Sequence, residues 1–268
     1  MRRPGAVFGA IVIVVFVFVA LTAPIIAPQD PNEIETRARR DPPSAEHRMG
    51  TDELGRDVLS RVIYGARISL QVGIIAIGIA LTAGTLLGVL AGYFGRHVDT
   101  VIMRLTDIML AFPGILMAIA IVAILGPGLY NVMIAVGIEA IPVYARTARA
   151  STLSVRETEY VIGARAIGAG HPRILFRYVL PNIVAPLIVL ATIGVAGSIL
   201  AAAGLSYIGL GAQPPTAEWG AMLASARTFI RDAWWMSTFP GLAIAVVVLA
   251  LNLFGDGLRD ALDPRTRK

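Results

Sequence analysis

The sequence predicts an all-α membrane protein, a bundle of six transmembrane helices with both termini inside. Three observations lead there. Of 268 residues, 56% are hydrophobic and only 15% charged, and the mean hydropathy of +0.72 lies outside the range of a water-soluble domain. Apolar runs of about 18 residues or more, enough for a helix to cross a hydrocarbon core of roughly 30 Å, fall near 6–28, 68–94, 105–126, 129–149, 179–203 and 236–255. Barrel strands would be shorter and alternating. The basic residues are also unevenly shared. With inner termini, the inner segments hold 14 of the 23 lysines and arginines against 7 acids, while the outer segments hold 9 against 10. An inner excess of this kind supports that orientation, against an outer segment 29–67 that alone holds seven arginines.

The first run, "VFGAIVIVVFVFVALTAPIIA" after Met1-Arg2-Arg3, is too long for the core of a secretory signal and reads as an uncleaved first span. Residues 29–67 then lie outside. They begin as a Pro- and charge-rich linker, "PQDPNEIETRARRDPPSAEHRMG", and continue as an amphipathic interfacial helix capped by Thr51, with Asp52 and Glu53 in its first turn. Leu54, Val58 and Val62 recur at helical spacing, opposite Arg56 and Asp57. The chain thus divides into 1–67, the first span with its outer linker and interfacial helix, and 68–268, a five-span core.

Between spans two and three, "GYFGRHVDTVIMRLTDIMLAFPG" turns at Gly92 and Gly95 and re-enters the membrane, with Arg104 and Asp107 on one helix face at pairing distance in sequence. Pro113 should bend or unwind the third span. The fourth carries Glu139, the one ionisable residue well inside the membrane, three residues before Pro142. An intramembrane carboxylate marks a pathway by default. Glu139, Pro113 and Pro142 are therefore candidate pathway residues, although a water-filled cavity or opened helix would satisfy the carboxylate without a dedicated role. After the fifth span, residues 206–235 read as an outer re-entrant or interfacial loop with Trp219, Trp234 and Trp235 forming an aromatic belt.

Much chemistry is excluded. There is no cysteine, and the only lysine is Lys268, so no phosphate-binding G-x-x-x-x-G-K-[ST] loop exists. His47, His97 and His171 lie in separate segments without metal-ligand spacing. No G-x-S-x-G elbow is present. The chain has no catalytic, cofactor or metal site of its own.

The inner segment 150–178 is too long for a simple turn. Glu157 and Glu159 open a short helix in which Tyr160, Ala164, Ile167 and Gly168 share a face with Arg165 on its flank, and Gly168, Gly170 and Pro172 end it. Such a helix can dock on another protein, or lie on lipid headgroups through its arginines.

This segment, "EYVIGARAIGAGHPRILFRYVLPN", resembles the "EAA" cytoplasmic loop of ABC-importer permeases. The matching positions are Ile162, Gly163, Ala164, Gly168, Leu180 and Pro181, with Ile162 in place of the family glutamate and Gly163 in place of its first alanine. With "GTDELGRDVLSRVIYGARISL", "GYFGRHVDTVIMRLTDIMLAFP", "GLSYIGLGAQPPTAEWGAML" and "GDGLRDALDPR" in the same order, the chain is similar to the C-type permeases of dipeptide, oligopeptide and nickel importers from about residue 47 onward. Ala202 stands near where many relatives carry a glutamate. The resemblance implies a type I importer fold and a permease that forms half of a translocation pathway. It implies as partners a second related permease, two ATPase subunits that bind the ATP and Mg, and an external substrate-binding protein. Membrane lipid is a further expected contact and nucleic acid is not. The helix near 157–168 would then be the coupling helix, with Glu157, Glu159, Tyr160, Gly163, Ala164, Arg165, Gly168, Leu180 and Pro181 as its docking loop. Import of nickel, glutathione or another small solute is an alternative cargo, and an ion-coupled secondary transporter an alternative class.

Overall fold

The computed structural model describes residues 4–262; Arg2, Arg3, Arg265, Arg267 and Lys268, which enter the charge argument for orientation, lie outside the described residues. The helices are α1 (Pro4–Ile26), α2 (Val58–Phe94), α3 (Arg96–Leu110), α4 (Gly114–Leu125), α5 (Leu129–Arg156), α6 (Glu159–Ala166), α7 (His171–Ile174), α8 (Leu180–Tyr207), α9 (Trp219–Ala226) and α10 (Trp235–Leu262), with a π-helical turn at Leu175–Val179 joining α7 to α8. No strand is present among the described residues, only an isolated bridge between Thr51 and Asp57.

Each expected span meets a helix, with two differences. By length and composition α1, α2, the 171–207 helix and α10 can each cross a membrane. The third span is a broken pair: α3 and α4 meet at an angle of 92° across residues 111–113, where Pro113 cannot donate a backbone hydrogen bond. α3 has Val98, Val101, Leu105 and Ile108 exposed. The fourth, α5, is 28 residues long and so about 42 Å, but Glu139, Arg146 and Arg149 lower its apolarity.

The most extensive helix contact is between α2 and α5. Its cause is a four-residue glycine repeat. A Cβ at Gly84, Gly88 or Gly92 would collide with Tyr144 and Ile141, with Ala145 and Ala148, or with Thr152 and Arg149, respectively. Only hydrogen at these positions lets the two backbones touch, the small-residue packing that serves in lipid where hydrophobic driving force between helices is absent. Gly92 is therefore helix interior, not a turn. The turn falls at Gly95, at φ +65°, and Arg96, at φ +45°.

α1 packs along α10, with Gly9 seated against Ala250 and Phe254, and leaves Val7, Phe8, Ile11, Val14, Phe18 and Leu21 exposed. A stripe of that kind requires lipid or another chain.

Outside the bundle the structure corrects the reading of residues 51–62. The helix starts at Val58 and not at Thr51. Its cap is Asp57, whose carboxylate accepts from the Ser60 amide at 2.7 Å, and α2 continues unbroken through the position 67/68. Thr51 instead donates its hydroxyl to the Ala38 carbonyl. Asp52 folds back in a turn, with Gly55 at φ +84°, to accept from the Leu54 and Arg56 amides. Arg56 and Asp57, expected on a solvent face, are buried, because Arg56 pairs with Asp52 at 2.6 Å and Asp57 meets His47 at 3.2 Å.

The aromatic belt is corrected too. Trp219 is fully buried, lies against Gly65 and donates its indole N–H to the Val62 carbonyl at 3.1 Å. Trp235 is buried and donates to the Thr51 carbonyl at 3.0 Å; Trp234 alone is exposed. Two of the three tryptophans thus lock the outer loops onto the spans.

The outer segment that holds α9 carries one buried acid. Glu218 caps α9 by accepting from the Gly220 and Ala221 amides, both at 2.9 Å. Burial pushes its carboxyl above the ordinary glutamate range, opposed by those two hydrogen bonds.

Candidate functional site

Two places carry the residues that the sequence singles out. The first is the segment after α5. That helix ends at Arg156, whose guanidinium donates to the Gly92 carbonyl at 2.7 Å and pairs with Glu157 at 2.8 Å. α6 then starts at Glu159, an acid in the first turn, and has Arg165 in its last, both suited to the helix dipole. It ends in a Schellman motif. The Gly168 amide donates to the Arg165 carbonyl at 3.1 Å and the Ala169 amide to the Ala164 carbonyl at 3.0 Å, with Gly168 at φ +82°.

The face assignment changes here. Val161 and Ala164 are buried, Val161 in one apolar cluster with Ile174, Val179 and Ile183, so Ala164 faces inward and does not share an outward face with Tyr160. The exposed side carries Tyr160, Ile162 and, at 85% exposure, Ile167. Gly163 and Gly168 have no atom within 4 Å of a Cβ built on them. Phe176, in the π-helical turn, is 72% exposed. Leu180 is half-buried and Pro181 exposed at the first turn of α8.

This segment is braced from behind. Tyr93, at the end of α2, bonds through its hydroxyl to His171 Nδ1 at 2.8 Å, and the Arg165 guanidinium lies 5.9 Å from the Tyr93 ring centre. Asp99 of α3 takes both Nε and Nη2 of Arg149, the latter at 2.6 Å. Asp107 pairs with Arg146 at 2.6 Å, and not with Arg104 as the spacing suggested. A geometric reason favours these partners: α5 lies beside α3 and presents its arginines one turn apart. Sequence reasoning missed Val161, Tyr93 and the two α3–α5 pairs. A signal was present in the regular spacing of Arg146 and Arg149 against Asp99 and Asp107.

The second place is a half-open cavity of about 420 Å³ between α2, α4, α5 and α8. Its lining is mainly apolar, including Ile77, Ile115, Val136 and Leu205, and it contains Glu139. Glu139 lies ten residues into α5, roughly 15 Å along the axis from that helix's start. Its carboxylate rests against Gly114, the first residue of α4, where a Cβ would overlap it. Pro113 is exposed at the break and brings that helix end to the acid. Pro142 is buried and α5 runs through it, so no opened turn accounts for the acid. The sequence did not point to Gly194, Gly197 and Ser198 of α8, which form the opposite wall. No group of three His, Cys, Asp or Glu able to hold a metal exists among the described residues.

A multi-pass helical bundle that holds a half-open cavity and exposes the apolar side of a short helix is compatible with a membrane transport subunit. The family model for "binding-protein-dependent transport system inner membrane component" matches residues 84–268, and that for the N-terminal transmembrane domain of oligopeptide transport permease C matches 1–43. The chain is 50% identical over 98% of its length to a dipeptide transport system permease protein of Alkalihalophilus pseudofirmus, covering 86% of it. It is 52% identical over 99% of its length to a di/tripeptide transport system permease protein of Pseudomonas aeruginosa, covering 90% of it. A glutathione transport system permease protein of Pectobacterium atrosepticum is 45% identical over 100% of this chain and 89% of its own. Among solved structures, a methionine ABC transporter in an inward-facing conformation matches with a TM-score of 0.60 at 20% identity, over 75% of this chain and 96% of that one. The chain belongs to the binding-protein-dependent transport system inner membrane components, as a multi-pass ABC-importer permease subunit without an ATPase site of its own.

Proposed function

We propose that this chain is the membrane half-pathway of an importer for dipeptides and short oligopeptides in a bacterial or archaeal cell membrane. Both termini and residues 150–178 face the cytoplasm, while 29–67 and 206–235 lie outside. A second related permease completes the pathway, two ATPase subunits dock beneath, and an external binding protein delivers the peptide. The observation that carries this reading is α6: with Val161 and Ala164 facing inward, it presents Tyr160, Ile162 and Ile167 to a partner. Glu157, Glu159, Gly163, Arg165 and Gly168 lie on or beside that surface, and Leu180 and Pro181 start the span that follows. A rigid short helix braced by Tyr93–His171 and Arg149–Asp99 can pass closure of an ATPase pair to α2, α3 and α5. Residues 1–67 act as a peripheral unit on a core of 68–268. The glutathione relative, at 45% identity, supports a second cargo reading.

The test is co-purification of the chain from native membranes. Two ATPase chains and a second permease should accompany it, and the reconstituted complex should import labelled dialanine with its binding protein and ATP. A chain recovered alone, or a complex that imports glutathione and no dialanine, overturns the peptide assignment.

Orientation is tested separately. An impermeant thiol reagent on intact cells should label Ser44→Cys and spare Ser154→Cys, and the chain's lack of cysteine gives a clean background. The reverse pattern overturns the topology.

A further inference from the structure

We propose that the Glu139 carboxylate receives the α-ammonium group of the transported peptide in the cavity between α2, α4, α5 and α8. This rests on the peptide-importer reading above. Glu139 makes no hydrogen bond and no ion pair with any other described residue, although it stands in a span where an unpartnered charge is costly. It lines the half-open cavity of about 420 Å³, a volume within the range of small-molecule sites. The same cavity holds a second unsatisfied polar group, the Ser198 hydroxyl, which has no hydrogen-bond partner among the described residues. The Tyr144 hydroxyl is already donated to the Leu190 carbonyl at 3.3 Å. The free polar groups are thus a carboxylate and a hydroxyl, both able to accept from an ammonium with three N–H donors.

Other occupants fit less well. A metal ion would need further ligands, and no such group exists among the described residues. A purely cationic amine would not use the adjoining feature. A second cleft, of about 530 Å³, shares Leu190 and Ile193 with the first and carries Arg259, whose guanidinium makes no ion pair among the described residues. A carboxylate in one cleft and a guanidinium in its neighbour offer opposite charges to a zwitterion. A peptide presents that pattern along a flexible backbone, and the apolar lining of both clefts accommodates varied side chains.

The experiment places a reporter thiol at Gly197, which lines the cavity and where a Cβ meets nothing within 4 Å. In the full complex carrying Gly197→Cys, modification of this chain is followed with a cationic and with an anionic methanethiosulfonate. With Glu139 present the cationic reagent should react about tenfold faster relative to its rate on a free thiol, since a carboxylate in a low-dielectric cleft concentrates cations. Dialanine, which contains no lysine, should slow modification, and Nα-acetyl-dialanine should not. Both differences should vanish in Gly197→Cys with Glu139→Gln. Equal protection by the two peptides, or a charge preference that survives Glu139→Gln, overturns the assignment; a counter-charge supplied to Glu139 by a neighbouring chain would show as the former. If the Gly197 chain imports no dialanine while amino-selective protection still depends on Glu139, the ammonium site stands and the peptide-importer reading fails.

Discussion

Gly168→Trp should reach the membrane at normal levels and lose ATP-driven uptake at least about tenfold, because its side chain must grow into the space assigned above to the proposed ATPase partner. In this chain alone that space is empty: no atom lies within 4 Å of a Cβ at Gly168. A side chain at this position therefore starts into open space as far as this chain is concerned. A second effect has to be separated. Gly168 has φ +82°, and a tryptophan there strains the backbone by roughly 1–2 kcal/mol, enough to fray the Schellman end of α6. Asparagine tolerates that conformation and is small. Gly168→Asn should therefore keep its partners and most of its uptake, while Gly168→Trp loses both. The measurement is co-purified ATPase subunit per permease chain, beside uptake in the same vesicles. Full uptake and normal partner content in Gly168→Trp would refute docking at this face and favour a helix lying on headgroups, where tryptophan is welcome. Equal loss in both variants would place the defect in the helix end itself.

The spans were legible because bilayer thickness imposes a length that no packing detail alters, and α1, α8 and α10 lie where their apolar runs lie. Breaks at proline were only half legible. Pro113 stands exposed at the break before α4, where its missing N–H costs no helix bond, whereas Pro142 is buried inside α5 and the helix runs through it. Which face of α6 points outward was not legible. Ala164 and Tyr160 are four residues apart and share a helix face in isolation, but Val161 beside them draws Ala164 into the bundle, leaving Tyr160 at its edge. Charge pairing failed for a related reason. Arg104 and Asp107 are near in sequence, yet Asp107 meets Arg146, thirty-nine residues away, because α5 lies beside α3 and brings that arginine to it. The cavity could be suspected from Glu139 alone, while its far wall of Gly194, Gly197 and Ser198 comes from a helix whose small residues carry no chemical signature.

The helix pair behind both sites makes the other large prediction: Gly88→Leu should prevent accumulation of a folded chain. A Cβ at Gly88 would overlap the Ala145 carbonyl oxygen and lie 2.7 Å from the Ala148 methyl and 2.8 Å from the Arg149 amide nitrogen. Two of those three neighbours are backbone atoms of α5, which cannot rotate away as a side chain can. A leucine would have to force α2 and α5 apart, with a penalty above the roughly 1–3 kcal/mol of ordinary overpacking. The displacement would propagate, because Arg146 and Arg149 of α5 hold α3, Arg156 holds the Gly92 carbonyl, and α6 follows α5 after two residues. Gly78 provides the matched control. It lies in the same helix, yet a Cβ there meets nothing within 4 Å, so Gly78→Leu makes the same chemical change without the overlap. Membrane level and protease resistance of this chain should be normal for Gly78→Leu and lost for Gly88→Leu. Should Gly88→Leu accumulate as a protease-resistant chain with its Arg149–Asp99 anchor intact, α2 and α5 do not touch through glycine, and the brace assigned to the docking helix has no base.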